Sequence, residues 1–238
     1  MNKTYIYVTG GKGGIGKTTT ALTLVDHMAE KGSVLLIDAD PINSDSSDVY
    51  TEGKQENVRA INARVRSEDT SGQIDPSGLI ETLNLAVSDP ADTIIVDAPA
   101  GDSTLLASSG SMIASACKEA GILSVFVWLV DSNDRTAVNA LNTVWDSIKD
   151  ADKIILVKNY RKGTNFDFFN NSNVILDLVD LPNVNIIGLP KIASRIEEHI
   201  RIERLSWKEI ATVTPIGNRV EGQRLRGYFH TTFNEAGF

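Results

Sequence analysis

Residues 9–19 read TGGKGGIGKTT, the most specific pattern in the chain. It contains the pattern G-x-x-x-x-G-K-[ST] from Gly11 to Thr18, with an apolar run before it and an amphipathic segment after it. Glycines let successive backbone N–H groups converge on phosphate oxygens, and the N-terminus of the following helix adds the positive end of its dipole. A glycine-rich turn that binds nothing would not match every position in this context. The stretch therefore predicts a phosphate-binding loop between a strand and a helix.

The residues of this loop differ in the chemistry that they supply. Lys17 is expected to place its ammonium group on the β- and γ-phosphates, and the Thr18 hydroxyl to supply a ligand to Mg²⁺. Lys17 is therefore a predicted catalytic residue as well as a binding residue. The predicted nucleotide-binding residues of the loop are Gly11, Lys12, Gly13, Gly14, Ile15, Gly16, Lys17, Thr18 and Thr19.

Short apolar runs alternate along the chain with longer segments of helical period. Most runs are continuous and rich in β-branched residues, as expected for parallel strands that helices cover on both faces. The predicted strands are Tyr5–Thr9, Val34–Ile37, Thr93–Val96, Ile122–Val130, Lys153–Val157 and Val184–Gly188. The predicted helices are Lys17–Glu30, Pro76–Val87, Ser103–Lys118, Arg135–Lys149, Lys191–Arg204 and Asn218–Asn234. We predict an α/β fold with a mostly parallel central sheet and helices on both faces, formed by residues 1–238 as one domain.

The segment Pro41–Gln73 interrupts this alternation, because it is polar, rich in Ser, Asp and Asn, and has no clear period. We expect a short element near Val58–Ala63 within it. Loops of this length are uncommon inside a compact domain and are usually functional.

The composition excludes several classes of protein. With 238 residues, of which 42% are hydrophobic and 23% charged, the chain can bury a sizeable core and is not wholly disordered. Its net charge of -8 means that nucleic acid would bind only through a local basic patch. A lone cysteine, Cys117, excludes an internal disulfide and is expected in the core. The sequence shows no signal peptide and no apolar run of about 20 residues, so a cytoplasmic protein is expected.

Two further predicted strands end in carboxylates. Asp38 and Asp40 follow the run that begins at Val34, and Asp97 follows the run that begins at Thr93. Ligands bind outside the carboxyl ends of the strands in an open α/β sheet, so these side chains are expected to face the same crevice as the phosphate-binding loop. For Asp38 or Asp40 taken singly, the alternative is a cap on the turn that follows.

The loop resembles the deviant Walker A motif of the ParA/MinD family of ATPases, because Lys12 stands before the paired glycines, where that family has a second lysine. The resemblance implies a P-loop NTPase fold and the hydrolysis of ATP to ADP and phosphate with Mg²⁺. It also implies a homodimer that forms on ATP binding, in which Lys12 acts catalytically on the phosphates held by the other subunit. Such a cation would stabilise charge on the transferring phosphoryl group, as an arginine finger does. A partner protein that stimulates hydrolysis is implied as well.

The carboxylate motifs resemble elements of the same family. Residues 38–41, DADP, are similar to its D-x-D-P element, and residues 97–101, DAPAG, to its D-x-P-[AP]-G element. The resemblance implies that Asp40 positions and polarises the attacking water, that Asp38 lies near the Mg²⁺ shell, and that Asp97 accepts from a water on Mg²⁺. Thr18, Asp38 and Asp97 are thus the predicted metal residues. After Pro41 the chain reads INSDSS where partition-type members often have Gln-Gly-Asn, so the following segment departs from the family pattern.

Asn159 and Pro190 are the predicted contacts of the nucleotide base. In the MinD-like branch of the family an Asn-Arg pair recognises adenine, and Asn159 at the end of its predicted strand resembles the asparagine. Pro190 ends an apolar stretch that would form a wall of the base pocket. The alternative is that Asn159 is an ordinary turn residue at a strand end.

The C-terminal part of the chain leaves two interpretations open. Residues 191–226 contain eight basic and five acidic side chains, a local net charge of +3. They are predicted either to contact DNA phosphates without sequence specificity or to form ordinary ion pairs. An apolar stripe at helical spacing follows, formed by Leu225, Tyr228, Phe229, Thr232 and Phe233. A membrane-targeting helix would carry such a stripe, but a terminal helix packed on the sheet is favoured, and no membrane role is predicted.

Small acidic members of the ParA/MinD family that the chain resembles are plasmid-encoded and serve in DNA segregation or conjugal transfer. The motifs do not choose between these tasks, and a task on DNA would place the protein at the nucleoid. A MinD-like positioning ATPase at a membrane, a small-molecule kinase or ligase of the same superfamily, and a pure nucleotide-binding module are the alternatives. An iron–sulfur carrier is disfavoured, because a cluster that bridges two subunits needs two cysteines from each.

Overall fold

A parallel sheet of seven strands organises the computed structural model, which describes residues 3–40, 45–51, 54–65, 67–68, 74–132 and 135–238. The strands are β1 (Thr4–Thr9), β2 (Val34–Asp38), β3 (Val58–Asn62), β4 (Ser67–Glu68), β5 (Ile74–Asp75), β6 (Thr93–Asp97), β7 (Leu123–Asp131), β8 (Lys153–Asn159) and β9 (Val184–Leu189). The order in the large sheet is β3-β2-β6-β1-β7-β8-β9, and β4 pairs antiparallel with β5 beside it.

Helices cover both faces of this sheet. They are α1 (Lys17–Ala29), α2 (Ser77–Ser88), α3 (Ser103–Ser109), α4 (Ser111–Ala120), α5 (Arg135–Ile148), α6 (Asp167–Asn170), α7 (Asn173–Leu178), α8 (Ser194–Arg201), α9 (Trp207–Val213) and α10 (Ile216–Glu235). In β1, Tyr5 and Tyr7 join the apolar cluster that contains α2 to α7, and Ile6 and Val8 join the cluster that contains α1 and α8 to α10. Because every buried strand has apolar side chains on both sides, the predicted α/β fold class is confirmed.

The central position of β1 brings the ends of three strands together. β1 pairs with β6 on one side and β7 on the other, with Val8 opposite both Asp97 and Val127. β2 pairs with the far side of β6, and Asp38 lies directly opposite Asp97. Since parallel strands end at the same edge, the loop after β1 and both carboxylates share one crevice.

Four predicted helices agree with the structure within two residues at each end, and the other two differ more. Ser103–Lys118 is divided into α3 and α4 at Gly110, a poor helix former that lets the chain pass close to Ser147 of α5. Lys191–Arg204 is shortened to α8, because the chain leaves helical geometry before Arg204, whose φ is 54°.

The structure contains elements beyond the predicted strands and helices. The short element expected near Val58–Ala63 is confirmed as β3, which pairs with β2. The helix α9 was not predicted, although Ser206-x-x-Glu209 forms a capping box there; α6 and α7 were not predicted either. Of the segment predicted as a loop, residues 41–44, 52–53, 66 and 69–73 lie outside the described residues.

Three residues of the predicted apolar stripe of α10 pack in the core as predicted, whereas Tyr228 is 43% exposed and Thr232 is partly buried. Leu225, Phe229 and Phe233 are almost fully buried, and the ring of Phe229 meets that of Trp207 edge to face at 5.2 Å between centroids. Cys117 is also buried, which confirms its place in the core. Across the described ranges, no helix combines the length and apolar character needed to cross a bilayer.

We expect Phe229→Ala to lower the free energy of unfolding by about 3–5 kcal/mol, because it removes a ring from between α10, α9 and the sheet. Val220→Ala, on the exposed side of the same helix, should change it by less than about 0.5 kcal/mol. Urea unfolding followed by circular dichroism measures both variants. Equally small effects would mean that α10 does not pack on the sheet in solution.

Candidate nucleotide-binding site

The phosphate-binding loop runs from the end of β1 to the first residue of α1. Gly11, Gly14 and Gly16 have φ of 72°, 72° and 95°, in the left-handed region that favours glycine. Gly16 also has no room for a side chain, because a Cβ atom there would lie 2.4 Å from Asn159 Nδ2. Ile15 is fully buried and anchors the loop in the core. These turns direct the N-terminal N–H groups of α1 toward the space where phosphates would bind.

A cavity of about 330 Å³ lies beside this loop. Of the predicted site residues, those that line it are Gly13, Gly14, Gly16, Lys17, Thr18, Thr19 and Asp40. Gly11, Lys12 and Ile15 lie outside this lining. Lys17 is buried, and its Nζ donates to the backbone oxygen of Lys12 at 3.0 Å, so the ammonium group folds back along the loop.

Asp38 is buried and uses both carboxylate oxygens to accept backbone N–H groups. Oδ2 accepts from Ser46 and Ser47, each at 3.0 Å, and Oδ1 accepts from Asp40 at 3.2 Å. These contacts tie the 3₁₀ turn Ser47–Tyr50 to the end of β2. Asp38 thus caps this turn and holds the backbone of Asp40, while its place near a metal stays a prediction.

Asp40 is half-buried and lines the cavity two residues beyond the end of β2. Pro41 and residues 42–44, which complete the predicted D-x-D-P element and begin the segment after it, lie outside the described residues. Of the two carboxylates in this motif, Asp40 therefore borders the space next to the phosphate-binding loop.

Asp97 faces Thr18 from the end of β6. Burial is the main reason that the pKa of Asp97 is raised to about 7; the hydrogen bond from Thr18 opposes this shift and the charge of Asp38 adds to it. Among the described residues, Oδ1 of Asp97 is buried and has no hydrogen-bond partner.

A metal ion would complete this arrangement. A buried carboxylate oxygen without a partner, beside a threonine hydroxyl, is an atom that Mg²⁺ or a water bound to it would satisfy. The residues present therefore fit the Mg²⁺ site predicted at Thr18 and Asp97. Within the described part of the chain, no cluster of three or more His, Cys, Asp or Glu side chains forms a metal site made of protein ligands alone.

Asn159 is buried and supports the phosphate-binding loop. Its Nδ2 donates to the backbone oxygen of Ile15 at 2.7 Å, and its Oδ1 accepts from the backbone N–H of Arg161 at 3.0 Å. The second contact caps the turn Tyr160–Lys162, which confirms the turn role left open by the sequence. A contact between Asn159 and the base stays a prediction.

A second cavity, of about 460 Å³, adjoins the first through Arg161, which lines both. Pro190 lines this second cavity; its other lining residues are Tyr160, Lys162, Gly163, Thr164, Lys191 and Tyr228. The predicted wall of a base pocket at Pro190 therefore borders a space next to the phosphate-binding loop.

Asp102 is a buried carboxylate at this site that was not predicted. Both of its oxygens accept from the Thr9 hydroxyl, at 2.7 and 2.8 Å, so it joins the residue after the DAPAG element to the end of β1. Burial is the main reason that the pKa of Asp102 is raised to about 6, although the hydrogen bond from Thr9 and the charge of Lys17 oppose this shift. A lone aspartate after a glycine has no pattern that would have identified it.

Two ion pairs at the cavity were not predicted either. Arg161 pairs with Glu197 at 3.1 Å, and Arg204 pairs with Asp45 at 2.7 Å. All four residues line the cavity, as does Arg201. Local sequence could not have identified these pairs, because the partners are far apart in the chain.

Ion pairs also hold most arginines of the basic segment 191–226. Four of its six arginines are paired; the closest partners are Arg195–Glu198, Arg204–Asp45, Arg224–Glu221 and Arg226–Asp26. The ion-pair interpretation is therefore confirmed for these residues. A contact with DNA phosphates stays a prediction.

Known proteins share both the sequence pattern and the architecture. Residues 6–227 match the CobQ/CobB/MinD/ParA nucleotide binding domain family. The chain is 27% identical over 229 residues to Protein MobD of Acidithiobacillus ferrooxidans, an alignment that covers 95% of this chain and 94% of MobD. It is 42% identical over 81 residues to ATPase get3 of Botryotinia fuckeliana, an alignment that covers 33% of this chain and 22% of that protein.

Solved structures are similar over nearly the whole chain. The septum site-determining protein MinD from Pyrococcus horikoshii, complexed with Mg-ADP, has a TM-score of 0.59 at 18% identity, covering 99% of this chain and 98% of MinD. A variant McdA from Cyanothece in complex with ATP has a TM-score of 0.55 at 16% identity, covering 99% of this chain and 96% of McdA. These likenesses confirm the predicted fold.

Asp102 predicts a pH dependence of stability. Its pKa in the folded protein, about 6, exceeds the value of 3.8 for a free side chain, so its stabilising contribution is complete below pH 3.8 and is lost as pH rises through about 6. Relative to Asp102→Asn, which does not ionise, the wild type should lose about 2 kcal/mol of unfolding free energy between pH 4 and pH 7.

Urea unfolding across this pH range measures the difference. Asp146→Asn, at a side chain that is 88% exposed, is the control and should track the wild type. A constant difference between wild type and Asp102→Asn would show that the pKa of Asp102 is the same in the folded and unfolded states, contrary to this prediction.

Proposed function

This chain belongs to the CobQ/CobB/MinD/ParA nucleotide-binding domain family, and we propose that it is an ATPase that works as a switch. In this proposal two copies close on ATP and Mg²⁺, the dimer binds a surface or a partner, and hydrolysis to ADP and phosphate releases it. The proposed task is segregation of plasmid DNA or conjugal DNA transfer, with a partner protein that stimulates hydrolysis.

The observation that carries this proposal is the buried Oδ1 of Asp97, which has no partner in the described part of the chain and lies on the carboxylate that faces Thr18. Leaving a buried polar atom unsatisfied costs about 1–3 kcal/mol or more, which a bound cation or its water would offset. Lys17 and Asp40 line the cavity that Thr18 also lines. A metal site, a phosphate-binding cation and a carboxylate for water thus occur together, which supports hydrolysis over binding alone.

Each of these side chains has a proposed part in the reaction. The loop N–H groups and Lys17 Nζ would hold the β- and γ-phosphates. Thr18 and Asp97 would hold Mg²⁺, which supplies positive charge to the phosphates when bound. Asp40 would accept a hydrogen bond from the attacking water and orient it toward the γ-phosphorus. Lys12 of the second copy would stabilise the charge that develops on the transferring group.

The position of Lys12 supports its proposed role toward a second copy. Lys12 lies outside the lining of its own cavity, while its backbone oxygen accepts from Lys17. In this proposal Lys17 serves the nucleotide of its own subunit and Lys12 serves that of the second copy.

The alternatives differ in what they require of the chain. A MinD-like positioning ATPase would need an apolar surface for the membrane; Phe229 and Phe233 of α10 are buried, whereas Val220 and Tyr228 of the same helix are exposed. Similarity to MobD along nearly the whole of both chains supports a task related to that protein's. Non-specific DNA binding through residues 191–226 is part of the proposal, although DNA phosphates would compete there with four ion pairs.

Asp40→Ala should retain ATP binding and lower kcat for hydrolysis about 10²–10³-fold, because the water loses its acceptor while the phosphate contacts remain. Lys17→Ala should instead weaken ATP binding about tenfold or more, since a charge-assisted contact is lost. Titration with a fluorescent ATP analogue and a phosphate-release assay measure both, with Asp146→Ala as the control. A wild-type protein that binds ATP without hydrolysing it would be a binding module, contrary to this proposal.

Lys12→Ala should retain ATP binding but lose the ATP-dependent dimer and its hydrolysis, because the side chain acts on the nucleotide of the other copy. Sedimentation velocity with a non-hydrolysable ATP analogue measures the dimer, and Lys118→Ala, exposed on α4, is the control. Normal dimers and turnover in Lys12→Ala would remove the role in trans. A wild-type protein that stays monomeric with the analogue would favour a kinase or ligase.

A further inference from the structure

Arg204 reaches the nucleotide cavity from the link between α8 and α9, far along the chain from the loop and the strand ends. Its guanidinium pairs with Asp45 at 2.7 Å and with Asp48 at 3.7 Å. The side chain of Arg204 is 32% exposed, that of Asp45 is 42% exposed and that of Asp48 is 52% exposed. The contact with Asp45 is therefore the closer and the less exposed of the two.

The backbone of Arg204 is also held by a contact with another part of the chain. In the described part of the chain, Arg204 is the residue other than glycine with a positive φ, 54°, a conformation that L side chains rarely adopt. Its carbonyl oxygen accepts from Lys54 Nζ. Lys54 also pairs at 3.1 Å with Glu209, the residue that forms the capping box with Ser206 at the start of α9. Unfavourable backbone geometry persists where the surroundings hold it, and it is concentrated at functional sites.

The partners of Arg204 belong to the turn that holds Asp38. Asp45 and Asp48 flank Ser46 and Ser47, whose N–H groups donate to Oδ2 of Asp38 at 3.0 Å. The other oxygen of Asp38 accepts from the backbone N–H of Asp40. The guanidinium is therefore linked to the backbone of Asp40 through its pair with Asp45, the backbone of the turn and the contacts of Asp38.

We propose that Arg204 is a positioning residue for ATP hydrolysis, an inference that rests on the proposed ATPase function. By holding Asp45 and Asp48, Arg204 fixes the turn, the turn fixes Asp38, and Asp38 fixes the backbone of Asp40. The C-terminal part of the chain thereby sets the geometry of the water-orienting carboxylate. Because Arg204 is already paired with two carboxylates, its contribution is to kcat and not to the affinity for phosphate.

Arg204→Gln should lower kcat about tenfold and leave KM for ATP within about twofold, since a small displacement of a catalytic group costs rate without removing phosphate contacts. The double variant Asp45→Asn with Asp48→Asn should reproduce this loss. Arg59→Gln is the control, because Arg59 also pairs with an acid, Asp89, and lies outside the lining of the nucleotide cavity. Arg59→Gln should leave kcat and KM unchanged.

Hydrogen exchange supplies a readout that does not require turnover. In Arg204→Gln, the amides of Ser46 and Ser47 should exchange about tenfold faster than in the wild type, while those of β1 stay protected. The thermal unfolding midpoint of each variant checks that the whole domain remains folded. Faster exchange confined to the turn supports the positioning role.

Three outcomes distinguish the positioning role of Arg204 from the proposed ATPase function. A KM raised tenfold with kcat unchanged would mean that Arg204 binds phosphate directly, which overturns the positioning role. Unchanged kcat and unchanged exchange in Arg204→Gln would overturn it too, while the proposed ATPase would stand. A wild-type protein that does not hydrolyse ATP would overturn the proposed function, and the role of Arg204 in hydrolysis would fall with it.

Discussion

The burial of β1 at the centre of a parallel sheet is the constraint on which the site depends. β1 is hydrogen-bonded along both edges, to β6 and to β7, and every one of its residues is buried. It cannot shift without breaking two ladders, so the position at which the loop begins after Thr9 is rigid. Asp97 ends the neighbouring strand, and the loop returns to it through Thr18. The phosphate-binding residues and the proposed metal carboxylate are therefore placed by the sheet and not by the loop itself.

Charge is the second constraint on this crevice, because several carboxylates lie near the place where a triphosphate would bind. Asp97 and Asp102 are buried, and burial raises the pKa of each, to about 7 and about 6. Their ionised forms are thus disfavoured unless a cation is near. Acids that line the cavity are held differently, by ion pairs such as that of Glu197 with Arg161. These arginines and Lys17 place positive charge among the carboxylates of the crevice, where a negatively charged nucleotide would bind.

The strands and the loop were predictable because their physics is local. Continuous β-branched runs such as Val34–Ile37 have no stable exposed form and must be buried as strands, and each predicted strand is present within a residue or two of its predicted bounds. Helix ends were less predictable, since they depend on single residues. Gly110 separates α3 from α4, which the helical period of the sequence predicted as one helix. The helix α9 was not predicted, although Ser206 and Glu209 form its capping box.

The sequence by itself determined the α/β class, the phosphate-binding loop and the carboxylates at the strand ends, because backbone geometry restricts which residues such a loop and such strands can contain. Only the tertiary structure decided how these parts are held: Asn159 on Ile15, Asp102 on Thr9, and Arg204 on Asp45. The residues of each pair are more than ninety positions apart in the chain, and in two of the three pairs they are more than a hundred apart. Such pairs exist because strand ends and helix ends converge on one crevice, and no local pattern of residues specifies that convergence.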